Sequence, residues 1–212
     1  MKIDLIFPAV FRAGSIIPLD HGYQLYSSVC GIIPEMHGSG LGFVHLLHGV
    51  NIQGKMIELT KKSNVIIRTD IDDAWKFRPL MSACLNVCGV QMLLEKPRPR
   101  RIEPSNRLYV PALTVRFSEK NMEGTLEEKF MRALRFRLGE ECGINLLRKK
   151  YTEVNGVVLK GYDVFLDNVI DEESVRIQEE GLGTRRAMGC GIAVRPLSSG
   201  PVVRQRPPAL AS

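Results

Sequence analysis

Four glycines fall within eleven residues near the carboxyl end, at Gly181, Gly183, Gly189 and Gly191, and they frame Thr184-Arg185-Arg186-Ala187-Met188. Neither helix nor strand tolerates such a run well, because each glycine adds backbone freedom that folding must remove. The segment therefore reads as a turn, and Ile192-Ala193-Val194 behind it as a short strand. Glycine lets the main chain take positive φ and come close to a ligand, so exposed amides and the guanidinium groups of Arg185 and Arg186 can converge on a polyanion. A dinucleotide fingerprint would need a preceding strand, a following helix and an acid about 20 residues on, and none of these is present. A glycine-rich hairpin whose arginines are merely solvated fits the same residues.

Upstream, apolar periodicity divides the chain into alternating elements. Residues 2–7 alternate as a half-buried strand, and Asp20 is placed to cap a helix whose apolar positions Tyr23, Tyr26, Val29, Cys30 and Ile33 recur at helical spacing until Pro34. Residues 42–50 and 55–68 read as strands, with Met56–Leu59 and Val65–Arg68 forming a hairpin across Lys61-Lys62-Ser63-Asn64. A helix capped by Asp70 follows over 72–81, and 88–94 supplies a closing strand. The order β-α-β-β-α-β predicts a ferredoxin-like domain over residues 1–95, one sheet face covered by helices and the other free. The order recurs with a strand at 108–117, a helix at 125–138 ending at Gly139, strands at 157–160 and 162–166, a helix at 171–180 and a last strand at 192–194. The expected fold is α+β, two tandem ferredoxin-like domains, the second spanning 107–198, with a disordered tail at 199–212.

Charge narrows the partner. The chain has 212 residues and a formal net charge of +6, and beyond Glu180 it carries Arg185, Arg186, Arg195, Arg204 and Arg206 with no acid. Lys96-Pro97-Arg98-Pro99-Arg100-Arg101 is too proline-rich for a helix and reads as a basic linker over 96–106, with Arg98, Arg100 and Arg101 facing RNA or simply solvated. Clustered cations of this kind favour phosphate. Five cysteines form no Cys-x-x-Cys pair, which suits reduced thiols in a cytoplasmic protein and offers no zinc set. The chain shows no apolar stretch long enough to cross a membrane, and no phosphate-binding Gly-x-x-x-x-Gly-Lys-Ser/Thr run or nucleophile elbow. No cofactor and no metal are expected.

Two segments carry a family resemblance: Glu179-Glu180-Gly-Leu-Gly-Thr-Arg-Arg-Ala-Met-Gly-Cys-Gly, and Pro18-Leu19-Asp20-His21-Gly22-Tyr23-Gln24-Leu25-Tyr26 with Met36-His37-Gly38 behind it. They resemble the glycine-rich loop and the first helix of the CRISPR repeat-processing endoribonucleases of the RAMP superfamily. The resemblance implies two ferredoxin-like domains with RNA along the cleft. It also implies metal-independent cleavage within CRISPR repeats, leaving 2',3'-cyclic phosphate and 5'-hydroxyl ends. Gly181, Gly183, Arg185, Arg186, Gly189 and Gly191 would contact CRISPR repeat RNA (crRNA after cleavage), and other subunits of a CRISPR effector complex are possible partners.

All four histidines lie between positions 21 and 48, and only histidine titrates near neutrality unperturbed. RNA supplies its own nucleophile, so a base for the 2'-hydroxyl proton and an acid for the leaving 5'-oxygen suffice. His37, in a glycine-flanked loop after the first helix, matches the position of the family's catalytic histidine. His21 at the helix start and Tyr23 are further candidates. His45 and His48, three apart, would point to opposite faces of a strand. No lysine follows His37 where some members of the family carry one, so Arg185, Arg186, Lys55 or Arg68 would have to stabilise transition-state charge. The competing function is a non-catalytic crRNA-binding subunit of an effector complex.

Overall fold

A computed structural model of the chain describes residues 1–53, 55–115, 124–154 and 157–196. The chain opens with strands β1 (Lys2–Phe7), β2 (Ala9–Val10) and β3 (Ile16–Pro18) and helix α1 (Gly22–Ile32). Strands β4 (Gly42–Val44), β5 (Gly49–Gln53), β6 (Met56–Leu59) and β7 (Val65–Asp70) precede a 3-10 helix, Ile71–Leu80. Strands β8 (Cys84–Val87), β9 (Val90–Leu94) and β10 (Arg98–Arg101) end the first half. The second half holds β11 (Leu108–Thr114), α2 (Leu126–Leu138), β12 (Gly143–Val154), β13 (Val157–Asp167) and α3 (Asp171–Glu180).

The main sheet of the first half has the order β10-β1-β7-β4, antiparallel throughout. In chain order these are its fourth, first, third and second strands, the ferredoxin-like arrangement. The second half repeats it: β11-β13-β12 form a sheet, and Val194 adds a bridge to the outer edge of β11 through paired backbone bonds with Tyr109 of 2.8 and 2.9 Å. The tandem ferredoxin-like fold expected from element order is present. Two small sheets, β2-β9-β8 and β3-β6-β5, extend the first half.

Alternation along β1 and β7 sends Ile3, Leu5, Phe7, Val65 and Ile67 to one side, where they pack under Leu25, Tyr26 and Val29 of α1. Each such Val, Leu, Ile or Phe side chain contributes about 1.5–3 kcal/mol by leaving water. Helix α2 starts at a capping box, the Thr125 hydroxyl accepting from the Glu128 amide while the Glu128 carboxylate accepts from the Thr125 amide. It ends at Gly139, whose φ of +79° suits glycine.

Several expectations need correction. The basic run 96–106 is not merely a connector: Arg98–Arg101 is the edge strand β10, paired with β1, and Pro99 is tolerated because an edge leaves one row of amides unpaired. The expected closing strand, 88–94, is the second arm of the β8–β9 hairpin, whose turn falls at Cys88-Gly89, in a separate sheet. Met56–Leu59 and Val65–Arg68 do not pair with each other; β6 joins β3 and β5, while β7 joins β1 and β4. The open face of the first sheet is not free, because the second half covers it. Asp20 does not cap α1; its carboxylate instead accepts from the Glu153 amide at 2.7 Å, tying the β12–β13 ribbon to the helix entrance. Asp70 makes no side-chain cap either. Strand β12 was not anticipated, and 157–166 is one strand rather than two. The tail at 199–212, with Arg204 and Arg206, lies outside the described residues.

Candidate RNA-binding and cleavage site

The glycine-rich segment follows α3 and is wedged between the halves. Its four glycines all have positive φ, from +69° to +88°, and Arg185 joins them at +60°. Close packing constrains two of them most tightly: a Cβ on Gly183 would sit 2.2 Å from the Thr114 carbonyl oxygen, and one on Gly191 would sit 1.9 Å from that of Leu182. Where Met188 meets helix α1 the constraint falls on the partner, since a Cβ on Gly22 would lie 2.3 Å from the Met188 oxygen. Leu46 fills the space beside Gly189.

Most loop amides are spent internally. Leu182 donates to Gly191, Thr184 to Thr114, Gly191 to Pro111, Met188 and Cys190 to Arg185, and Gly189 to Arg186. The amides of Arg185, Arg186 and Ala187 have no acceptor among the described residues. Left-handed Arg185 followed by the 3-10 turn Arg186–Met188 turns three successive N–H groups into one concavity, a geometry that suits an anion.

The two arginines differ. The Arg185 side chain is exposed, and no hydrogen-bond or ion-pair partner for it occurs among the described residues. Arg186 folds back: its Nη1 donates to the Glu180 carbonyl at 2.6 Å, satisfying the end of α3, and its guanidinium lies 5.6 Å from the centre of the Phe43 ring. Along β10, Arg98 and Arg101 are exposed, whereas Arg100 donates to Asp4 at 2.8 Å.

The histidines separate as clearly. His21 is buried, its Nδ1–H donates to the Pro18 carbonyl at 2.9 Å, and its Nε2 accepts from the Leu47 amide at 2.8 Å. Burial lowers its pKa, so the ring stays neutral with both nitrogens engaged, a brace between the entrance of α1 and the chain after β4. That arrangement leaves His21 no free nitrogen for catalysis. His45 and His48 lie in the extended connection between β4 and β5, not within a strand. Burial drives His45 down to about 4, against the pull of Asp4 at 3.4 Å. Burial and Arg100 lower His48. His37 is exposed after a 3-10 turn, with its ring centroid 6.4 Å from that of Tyr26, whose hydroxyl donates to the Met36 carbonyl at 3.1 Å. Tyr23, one turn before Tyr26, is half-buried.

Beside the loop, between the halves, lies a cavity of about 150 Å³ lined among others by His45, His48, Tyr109, Lys150, Asp163 and Gly189. Lys150 sits 3.5 Å from the buried Asp163 carboxylate. Burial and the same carboxylate push the Tyr109 phenol up, so it stays protonated. Sequence reading did not single out this trio; the run Arg148-Lys149-Lys150 was its visible sign. Arg68, one of the four candidates for stabilising transition-state charge, is buried at 2 % exposure and committed to Asp4. Burial would raise the Asp4 carboxyl, yet His45 and Arg68 hold it well below the usual carboxylate range. Lys55 is exposed on the β5–β6 turn. No group of three or more His, Cys, Asp or Glu able to hold a metal ion occurs among the described residues, and no described helix is long and apolar enough to cross a membrane.

The family profile Cas6 (Cas6 Crispr) matches residues 3–196. The chain belongs to the Cas6 family. The resemblance of its loop and first helix to the CRISPR repeat-processing endoribonucleases is thus carried by nearly the whole chain. The chain is 30% identical over 194 residues to the CRISPR-associated endonuclease Cas6 of Myxococcus xanthus (strain DK1622), covering 92% of this chain and 81% of that protein. Two solved structures share the fold of this Cas6-family chain. One, described as CRISPR associated protein Cas6, aligns with a TM-score of 0.65 at 15% identity over 92% of this chain and 99% of that one. The other, described as a RAMP protein binding different RNA substrates, aligns with a TM-score of 0.64 at 16% identity over 91% and 98%.

Proposed function

We propose that this protein cleaves CRISPR precursor RNA within its repeats by metal-independent attack of a 2'-hydroxyl on the adjacent phosphate. The attacking oxygen loses its proton, its bond to phosphorus forms, the bond to the 5'-oxygen breaks, and that oxygen takes up a proton. The ends are a 2',3'-cyclic phosphate and a 5'-hydroxyl. One observation carries the reading: helix α1 seats the glycine-rich loop at Gly22 and holds His37 against Tyr26 a turn later, so an anion cradle and an exposed imidazole share one support.

Arg185 and the amides of residues 185–187 hold a phosphate, Arg98 and Arg101 follow the backbone, and His37 exchanges protons with the reacting ribose. Tyr23, on the same helix, orients the substrate. Arg186 and Arg100 act through the structure they hold. The name of the Myxococcus relative, an endonuclease, favours this over a binding-only subunit.

The test is a His37→Ala variant assayed at saturating protein. Proton transfer by a placed side chain is worth about 10²–10⁴ in rate, so cleavage should fall by that factor while repeat RNA still binds. Wild-type protein that binds repeat RNA and never cuts it overturns the proposal in favour of the binding subunit.

A further inference from the structure

We propose that Arg68 is a positioning residue that fixes the glycine-rich loop relative to the half carrying His37, an inference that rests on the cleavage reading above. Cross-strand register puts Asp4, Arg68, Arg100 and Phe43 on the face of the first sheet turned away from α1. The second half docks on that face, and Arg68 stands in the middle of the contact. Its Nε and Nη2 grip the two oxygens of Asp4 at 2.8 and 3.2 Å, which fixes the plane of the fork. Its Nη1 then donates to two main-chain carbonyls of the other half, Gln178 at 2.6 Å and Ala193 at 2.8 Å.

Those carbonyls bracket the loop. Gln178 lies on the last turn of α3, just before Gly181, and Ala193 just after Gly191. One guanidinium thus ties entry and exit of the loop to β7, one of the two inner strands of the first sheet. Elsewhere the loop is anchored to its own half through Thr114 and Pro111, and to the first half through packing of Met188 on Gly22 and of Leu46 on Gly189. Across the halves the Lys2 amide also donates to Glu179 beside the loop entry and Arg186 lies over Phe43, but among the described residues Arg68 alone hydrogen-bonds to both flanks of the loop. A buried ion pair gains little stability over apolar packing, whereas a planar fork restricts geometry. Lysine cannot reproduce it, because one ammonium has no second arm for the carbonyls once it meets Asp4.

The experiment compares wild type with Arg68→Lys and Asp4→Asn, the second retaining the arginine but weakening the grip that aims it. Three quantities are read on proteins that melt cooperatively: hydrogen exchange of peptides spanning 181–191, affinity for a repeat carrying a 2'-deoxy at the scissile nucleotide, and single-turnover cleavage at saturating protein. Arg68→Lys should speed loop exchange about 10-fold, leaving the β1 peptide protected. Affinity should stay within about 3-fold while the saturated rate falls about 100-fold, the cost of a small misplacement. Asp4→Asn should move the same quantities in the same direction by less, and it decides the matter if Arg68→Lys does not fold. Loop protection and a saturated rate equal to wild type in either folded variant overturn the inference. So does a rate that falls only in step with folded fraction or affinity. Failure of the cleavage reading looks different: wild type does not cut, and loop exchange alone then decides whether Arg68 places the loop.

Discussion

At the scale of single residues, neighbours of the same type do different work. Arg185 is exposed with no hydrogen-bond or ion-pair partner for its side chain among the described residues, while Arg186 satisfies the Glu180 carbonyl and covers Phe43. Arg185→Glu should therefore weaken repeat RNA binding by about 1.5–3 kcal/mol, the range for hydrogen bonds to a charged group, and flatten the salt dependence, with little change in melting. Arg186→Ala should show the reverse balance, lowering Tm more than affinity. Salt-titrated binding and thermal melts on both variants separate the two. His45 gives a prediction about acid. Its folded pKa of about 4 lies below the reference of 6.5, so the unfolded chain binds more protons between those values and stability falls as pH falls through that window. From pH 7 to pH 5 this histidine should cost about 2 kcal/mol, or about 4–8 °C in Tm. His45→Gln should lose that part of the pH dependence; an unchanged difference between the two melts would contradict the assignment.

At the scale of elements, the glycine-rich loop is fixed by contacts that no local pattern reveals. Gly183→Ala would place a methyl 2.2 Å from a backbone oxygen at a φ of +71°, whereas Gly14, at +75°, has open space around it. Backbone strain alone costs about 1–3 kcal/mol, so Gly14→Ala should stay in that range and Gly183→Ala should exceed it, as measured by denaturant unfolding. Sequence periodicity revealed β1, α1 and α2, because each buries one face against a core and repeats at 2 or 3.6 residues, and element order added β11 and α3. It missed β12, whose alternation is interrupted by Arg148-Lys149-Lys150, and β10, whose four residues include three arginines and a proline. The turn at Lys61–Asn64 looked like a hairpin because it is locally suitable, but β6 and β7 find better partners far away in sequence. In the site, glycines and Arg185 were legible as residue types with unusual backbone and charge. His21 was misleading, since its burial and its bond from Leu47 come from a residue 26 positions on. The commitments of Arg68, Arg100 and Asp20 were invisible for the same reason, each partner lying at least 64 positions away.

At the scale of the molecule, two ferredoxin-like halves meet through a few specific contacts: Arg68 to Gln178 and Ala193, the Lys2 amide to Glu179 at 2.9 Å, Asp20 to the Glu153 amide, and Met188 on Gly22. The contact places the unpaired amides of the glycine-rich loop in one half beside the helix that leads to His37 in the other, in a chain whose net charge is +6. Cleavage by this account needs both halves, a ribose nucleophile and no metal. The most direct test uses end-labelled repeat RNA and wild-type protein in excess chelator, beside the same RNA with a 2'-deoxy at the scissile nucleotide. The ribose substrate should be cut to a product ending in a 2',3'-cyclic phosphate, and the deoxy substrate should remain intact. Cleavage of the deoxy RNA at an equal rate, or loss of all cutting in chelator that returns with added metal, would contradict the account.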